Sequence, residues 1–166
     1  STFEQGTAVD GLKHIFHKGY SRMFPLLAPG VFMKANTNTM RVYMNTYKTW
    51  NTYVDVENFP VGKWVHVVIA CKEKALEIYI NGNLSRKMSF DGYVPYQNYQ
   101  DIICFSQRPS PTLKASMVPS LQADMKVLGV AKGQLSRLYY FSYALCYAEI
   151  QKLMSEGPSK EMDDAN

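Results

Sequence analysis

Residues 62–88 read GKWVHVVIACKEKALEIYINGNLSRKM. Trp64 to Cys71 is almost wholly apolar and β-branched, the pattern of a strand buried on both faces. Lys72-Glu73-Lys74 is a polar break of hairpin length. Leu76, Ile78 and Ile80 then alternate with Glu77 and Tyr79, the period-two signature of a half-buried strand. Asn81-Gly82 suits the positive φ angles of a tight primed turn. Leu84, Arg86 and Met88 continue as a third strand, so the stretch is expected to form a three-stranded antiparallel meander.

Outward from this ribbon the chain stays strand-like. Gly30–Lys34 and Met40–Asn45 are short strands around an Asn36-Thr37-Asn38 turn, and Tyr53–Glu57 alternates again after a polar turn holding Trp50. Asp101–Ser106, Met125–Val130 and Leu135–Phe141 read as further strands, the last of them closing the sheet. Between them lie two loops: the tyrosine-rich Ser89–Gln100, and Arg108–Ser120 with Pro109, Pro111 and Pro119. Ser1–Leu12 and Tyr20–Pro29 read as loops. Ile150, Leu153 and Met154 share one face of a helix that Gly157 and Pro158 terminate. A capping box there would want Ser or Thr at Cys146, three residues before Glu149, so the helix start departs from the favoured pattern. Ser159–Asn166 is a polar tail.

The run from Gly62-Lys63-Trp64 to Tyr79-Ile80-Asn81-Gly82 resembles the central signature of the laminin-G-like domain. The segment Tyr143–Met154, a strand leading into a short helix, resembles that domain's closing motif. The family sits in the concanavalin A-like lectin/glucanase superfamily. The resemblance implies an all-β fold: an antiparallel β-sandwich of jelly-roll type over residues 1–158 with one short C-terminal helix. It also implies that Trp64 is a core residue. His14–Gly19 resembles that domain's strand ending in Lys-Gly, and in such domains a strand rich in aromatic residues usually precedes it. None is evident here, so either another segment fills that edge or the N-terminal strand is missing. The closing motif and the disulfide-free core further resemble versions in proteins of large DNA viruses, which implies a virion-surface or attachment role.

The chain's 166 residues, 46% hydrophobic and 19% charged, fit one globular domain rather than a disordered segment. A net charge of +4, with Lys and Arg scattered, argues against nucleic acid as a partner. No run is long and apolar enough to cross a membrane, and no signal peptide is visible. Cys71, Cys104 and Cys146 are odd in number and lie in apolar settings, which reads as buried reduced thiols and folding in a reducing compartment. The triplet Asn83-Leu84-Ser85 is a glycosylation acceptor pattern common by chance.

Chemistry is sparse. A retaining glucan hydrolase needs two carboxylates about 5 Å apart. Asp55-Val56-Glu57 is the nearest approach, with Tyr53 where a further Glu would stand, and it reads better as a solvent-facing strand end. His14 and His17, three apart on a strand, are expected on opposite faces, and His66 is expected as a hydrogen-bonded core group. The resemblance implies calcium as the ion at a sandwich rim, with Asp91, Asn98 and Asp101 as its oxygen donors. Those three also read as ordinary turn residues. Binding is better supported, because aromatic rings meet the apolar faces of sugars while amides meet their hydroxyls. Trp50, Tyr93, Tyr96, Asn98 and Tyr99 are the candidate ligand-binding residues, unless the rings cover sandwich edges. The expected function is a non-enzymatic module for a glycan, a glycoprotein or another protein surface. The alternatives are a structural module packing against a neighbouring coat protein, and a glucan hydrolase.

Overall fold

The computed structural model describes residues 11–19, 26–93, 95–105 and 126–158, among which nine strands and one helix form. The larger sheet contains β1 (Gly11–Lys18), β2 (Gly30–Lys34), β3 (Met40–Met44), β4 (Thr52–Val56), β8 (Ile102–Cys104) and β9 (Lys126–Val130). Its order is β4-β3-β2-β1-β8, with β9 pairing β1 in parallel. The smaller sheet is the meander β5 (Val67–Cys71), β6 (Ala75–Ile80) and β7 (Asn83–Ser89). Helix α1 spans Tyr147–Glu156.

The two sheets face each other across one apolar layer, as period-two alternation requires. Val31, Met40, Val42, Met44, Val54 and Val56 of the larger sheet meet Leu76 and Ile78 of the smaller, together with Phe90 just past β7. Leu76, Ile78 and Val42 have no exposed surface. At about 25 cal/mol per Å² of apolar area, such burial supplies most of the driving force for the sandwich. The fold is a β-sandwich of the expected class. The ribbon runs as the alternation says, with one difference: Glu77 points outward yet is buried, under its ion pair with Lys72 and beside the Tyr79 hydroxyl.

The Asn81-Gly82 turn is made as expected. Asn81 and Gly82 have φ angles of 51° and 81°, both in the left-handed region. Gly82 is fixed a second time by its neighbours. A Cβ there would lie 2.6 Å from Gln151 Nε2 and 2.9 Å from Met154 Sδ. Helix α1 is laid against this turn, with Gln151 Nε2 donating to Gly82 O at 2.9 Å and Ile150 fully buried. Glu149 reaches back to accept from the Cys146 backbone N–H at 3.2 Å, so the acidic half of the capping box forms around a cysteine.

Four expectations need correction. Strand β5 begins at Val67, not Trp64, and Trp64 is 48% exposed rather than a core residue. Among the described residues β5 has no partner beyond β6, and its approach is tied to the hairpin only where His66 bonds to Asn81, short of Trp64. For the same reason β5 is half-buried, Ala70 apart. Leu135–Phe141 is not a strand, and Arg137 within it has φ 53°. Cys104 and Cys146 are exposed and Cys71 half-buried, so the buried-thiol reading does not hold. The edge of β1 is filled: β8 pairs with Phe16–Lys18 and β9 with Gly11–His14. The loop Arg108–Ser120, part of Tyr20–Pro29 and the tail from Ser159 lie outside the described residues.

Candidate functional site

The loop joining β3 to β4 is held from within. Asn45 Oδ1 accepts from Leu27 N at 2.6 Å, and Asn45 Nδ2 donates to Trp50 O at 2.6 Å. Thr46 Oγ1 donates to Thr49 O at 2.8 Å and accepts from Thr49 N at 3.1 Å, and Thr52 Oγ1 donates to the same carbonyl at 3.1 Å. Asn45, Thr46, Thr49 and Asn51 are all buried. A short polar loop satisfied by its own side chains is rigid in the way a binding platform must be.

What this loop presents is aromatic. Tyr47 is 67% exposed. Trp50 lies half-buried against a second apolar cluster of Leu12, Leu27, Phe32 and Tyr43. The loop after β7 closes on it: Thr46 bridges Pro95, and Tyr96 N donates to Asn45 O at 2.7 Å. Tyr96 then sits between Tyr47 and Trp50, its ring centroid 5.5 Å from the first and 5.4 Å from the second. Lys48 Nζ stands 4.6 Å from the Tyr93 ring centroid. Two loops far apart in sequence thus form one rim of four rings and an ammonium.

Of the ligand-binding candidates, Trp50 and Tyr96 touch, and Tyr93 joins them through Lys48. Tyr99 is fully exposed and makes no ring contact among the described residues. Asn98 is a correction. It is buried, its Oδ1 accepting from Lys18 Nζ at 3.2 Å and from Gln100 N at 3.0 Å, while its Nδ2 donates to Lys18 O at 3.0 Å. Its amide is buried and spent mainly on joining Lys18 and Gln100, away from the ring cluster. Tyr47 and Lys48 were missed because a polar turn offers no periodicity. The signal was four residues, Tyr47-Lys48-Thr49-Trp50, two rings flanking two polar side chains inside one short loop.

The residues that would hold calcium do not fit it. Lys18, itself buried, places its ammonium on the Asn98 oxygens that a cation would need, and Asp101 lies near that same charge. Asp91 is an exposed turn residue with φ 51°, its N–H bonded to Ser89 Oγ. Among the described residues no group of three or more His, Cys, Asp or Glu could hold a metal.

The carboxylate pair is likewise divided. Asp55 accepts both forks of Arg41, at 2.8 and 3.0 Å, and Arg41 stacks 3.9 Å from the Tyr53 ring centroid. Burial would lower the Arg41 pKa, but these bonds hold it above its ordinary value. Glu57 lies exposed beyond the strand end. A clamped carboxylate and a free one are not a nucleophile and an acid.

His14 and His17 do not point apart. Their Nε2 and Nδ1 are 2.7 Å from each other. The cause is a bulge in β1: His14 pairs Phe32 and Phe16 pairs Val31, leaving Ile15 unopposed. The surplus residue shifts the alternation, so Ile15 and Phe16 both reach the inter-sheet core while the two histidines share the outer face. Burial, and then the nearby His17, push the His14 pKa down to about 4. Burial also lowers His17, against a backbone hydrogen bond at Gly19. His66 donates its backbone N–H to Asn81 Oδ1 at 3.0 Å, but its buried Nδ1 has no hydrogen-bond partner among the described residues, contrary to the expected bonded core group.

Comparison with known proteins places residues 8–117 in a laminin-G-type family model described as the concanavalin A-like lectin/glucanases superfamily. Comparison with curated proteins returns no match. Among solved structures, an S-layer domain-containing protein from Clostridium thermocellum ATCC 27405 is similar over 93% of this chain and 68% of its own, at 16% identity and a TM-score of 0.38.

Proposed function

The chain belongs to the concanavalin A-like lectin/glucanases superfamily, and from that premise we propose that it is a non-enzymatic binding module that holds a glycan on the rim formed by Tyr47, Lys48, Trp50, Tyr93 and Tyr96. Domains of the laminin-G type are typically binding modules. The observation that carries the reading is the Tyr96 ring lodged between Tyr47 and Trp50, on a loop whose Asn and Thr groups are already bonded. Rings fixed before the ligand arrives lose little entropy on binding, and their faces suit the apolar faces of sugar rings. Lys48 adds a donor for hydroxyl or acidic groups.

A glycan array probed with the full chain tests this. Tyr47→Ala and Tyr96→Ala should each weaken binding about tenfold or more. Tyr99→Ala, outside the ring cluster, should weaken it less. Wild-type binding that both rim variants leave intact would place the ligand elsewhere and end the proposal.

One observation favours a second reading, contact with another protein. Tyr139, Phe141 and Tyr143 run ring to ring, with centroids 6.3 and 5.9 Å apart, and both tyrosines are more than half exposed. Exposed aromatic patches of this kind mark protein interfaces. Absence of any glycan ligand, with assembly lost on Tyr139→Ser and Tyr143→Ser, would favour this reading over the first.

A further inference from the structure

A cavity of about 680 Å³ opens between the two sheets on the β5 side. That is within the range of about 300–1,000 Å³ typical of small-molecule sites. Met33 and Met44 of the larger sheet and Val67 and Ile69 of the smaller wall its interior. No sugar or peptide backbone could satisfy its polar groups against such a wall.

The mouth has a different chemistry. Lys63, Lys132 and Arg137 line it and are exposed, and Glu156 is the only carboxylate among the described lining residues. Lys18 also reaches the lining, but its ammonium is committed to Asn98. A second observation points to a ligand on the same surface. His66 lines the cavity, and its buried Nδ1 has no hydrogen-bond partner among the described residues. A buried polar atom without a partner carries a desolvation penalty that a bound, hydrogen-bonding group would remove.

We propose that this cavity binds an anionic amphiphile of the long-chain carboxylate class, its acyl chain between the sheets and its carboxylate among Lys63, Lys132 and Arg137. The apolar volume takes the chain, and the surplus of cations selects the charged head over a neutral one. This site is separate from the aromatic rim, so a glycan on Trp50 and Tyr96 and an amphiphile at β5 do not compete.

The test uses cis-parinaric acid as a fluorescent probe on the full chain, with palmitate and 1-hexadecanol as competitors of equal chain length. Saturable probe binding is expected, displaced by palmitate about tenfold more effectively than by hexadecanol. Ile69→Trp, which fills the cavity, should weaken probe binding about tenfold or more. Lys63→Glu with Lys132→Glu lies on exposed side chains and leaves the core intact. It should weaken palmitate about fivefold, leave hexadecanol unchanged and keep the glycan profile of the wild type. Absence of saturable binding, equal displacement by alcohol and acid, or indifference to both variants would each overturn the proposal. The first outcome would mean that the chain's own segments fill the space.

Discussion

The β3–β4 loop and the approach to β5 draw on the same residue types, aromatic rings among polar side chains, and reach opposite degrees of closure. At the first, Asn45, Thr46, Thr49 and Thr52 bond to one another and to the backbone, and Trp50 settles on an apolar cluster. At the second, Trp64 stands half in solvent, His66 Nδ1 has no partner among the described residues, and a cavity opens beside the strand. The difference lies in strand pairing. Strands β3 and β4 are joined residue by residue from Met40–Val56 to Met44–Thr52, so the loop between them is fixed at both ends. Strand β5 is joined on one side only among the described residues. A ring's fate is set less by its hydrophobicity than by whether the backbone carrying it is pinned.

The largest expected contrast is in the core. Ile78→Ala, at a site with no exposed surface in the central strand of the ribbon, should cost about 3–4 kcal/mol in denaturant unfolding. Ile69→Ala on β5, beside the cavity, should cost only about 1–2 kcal/mol. Equal costs would mean that the β5 flank is as tightly packed as the centre.

Polar substitutions should separate the regions next. Asn45→Ala strands a buried N–H and a carbonyl and should cost about 2–3 kcal/mol. His66→Phe removes a ring nitrogen that has no partner among the described residues, and thermal unfolding should show a change within about 1 kcal/mol or a small gain. A loss at His66 matching that at Asn45 would show that Nδ1 is satisfied after all.

A smaller effect is expected from pH. The ordinary histidine value is 6.5 and that of folded His14 is about 4. Between those values the unfolded chain takes up a proton that the folded chain refuses. This contribution is therefore complete above pH 6.5 and lost as pH falls toward 4, by on the order of 1–2 kcal/mol after solvent screening. Urea unfolding at pH 7 and pH 4.5 should show a smaller acid loss for His14→Phe than for the wild type. Equal losses would assign the acid sensitivity elsewhere. The smallest effect is at Trp64→Ala, expected to change stability by less than about 1 kcal/mol. A loss of several would return Trp64 to the core.

Much of this architecture was legible in the residues, because alternation and turn chemistry are local. Leu76, Ile78 and Ile80 announced their strand, and Asn81-Gly82 its turn. What escaped was whatever depends on another strand. Trp64 lies in an apolar run, but no sequence pattern states which edge goes unpaired. Leu135–Phe141 has strand composition without, among the described residues, a ladder to join. The histidine pair was hidden by Ile15, since one unopposed residue reverses every side after it. At the rim, Trp50, Tyr93 and Tyr96 were found as loop aromatics, whereas the role of Asn98 depended on Lys18, eighty residues away.

The bond from Gln151 to Gly82 joins the last helix to the tip of a hairpin 69 positions upstream. The tip can receive the helix only after it has turned, and only while it carries no side chain. Any segment spliced in between must therefore let the two ends find each other again. The same dependence makes the hairpin tip a reporter: a label placed near Asn83 would sense whether the helix is seated.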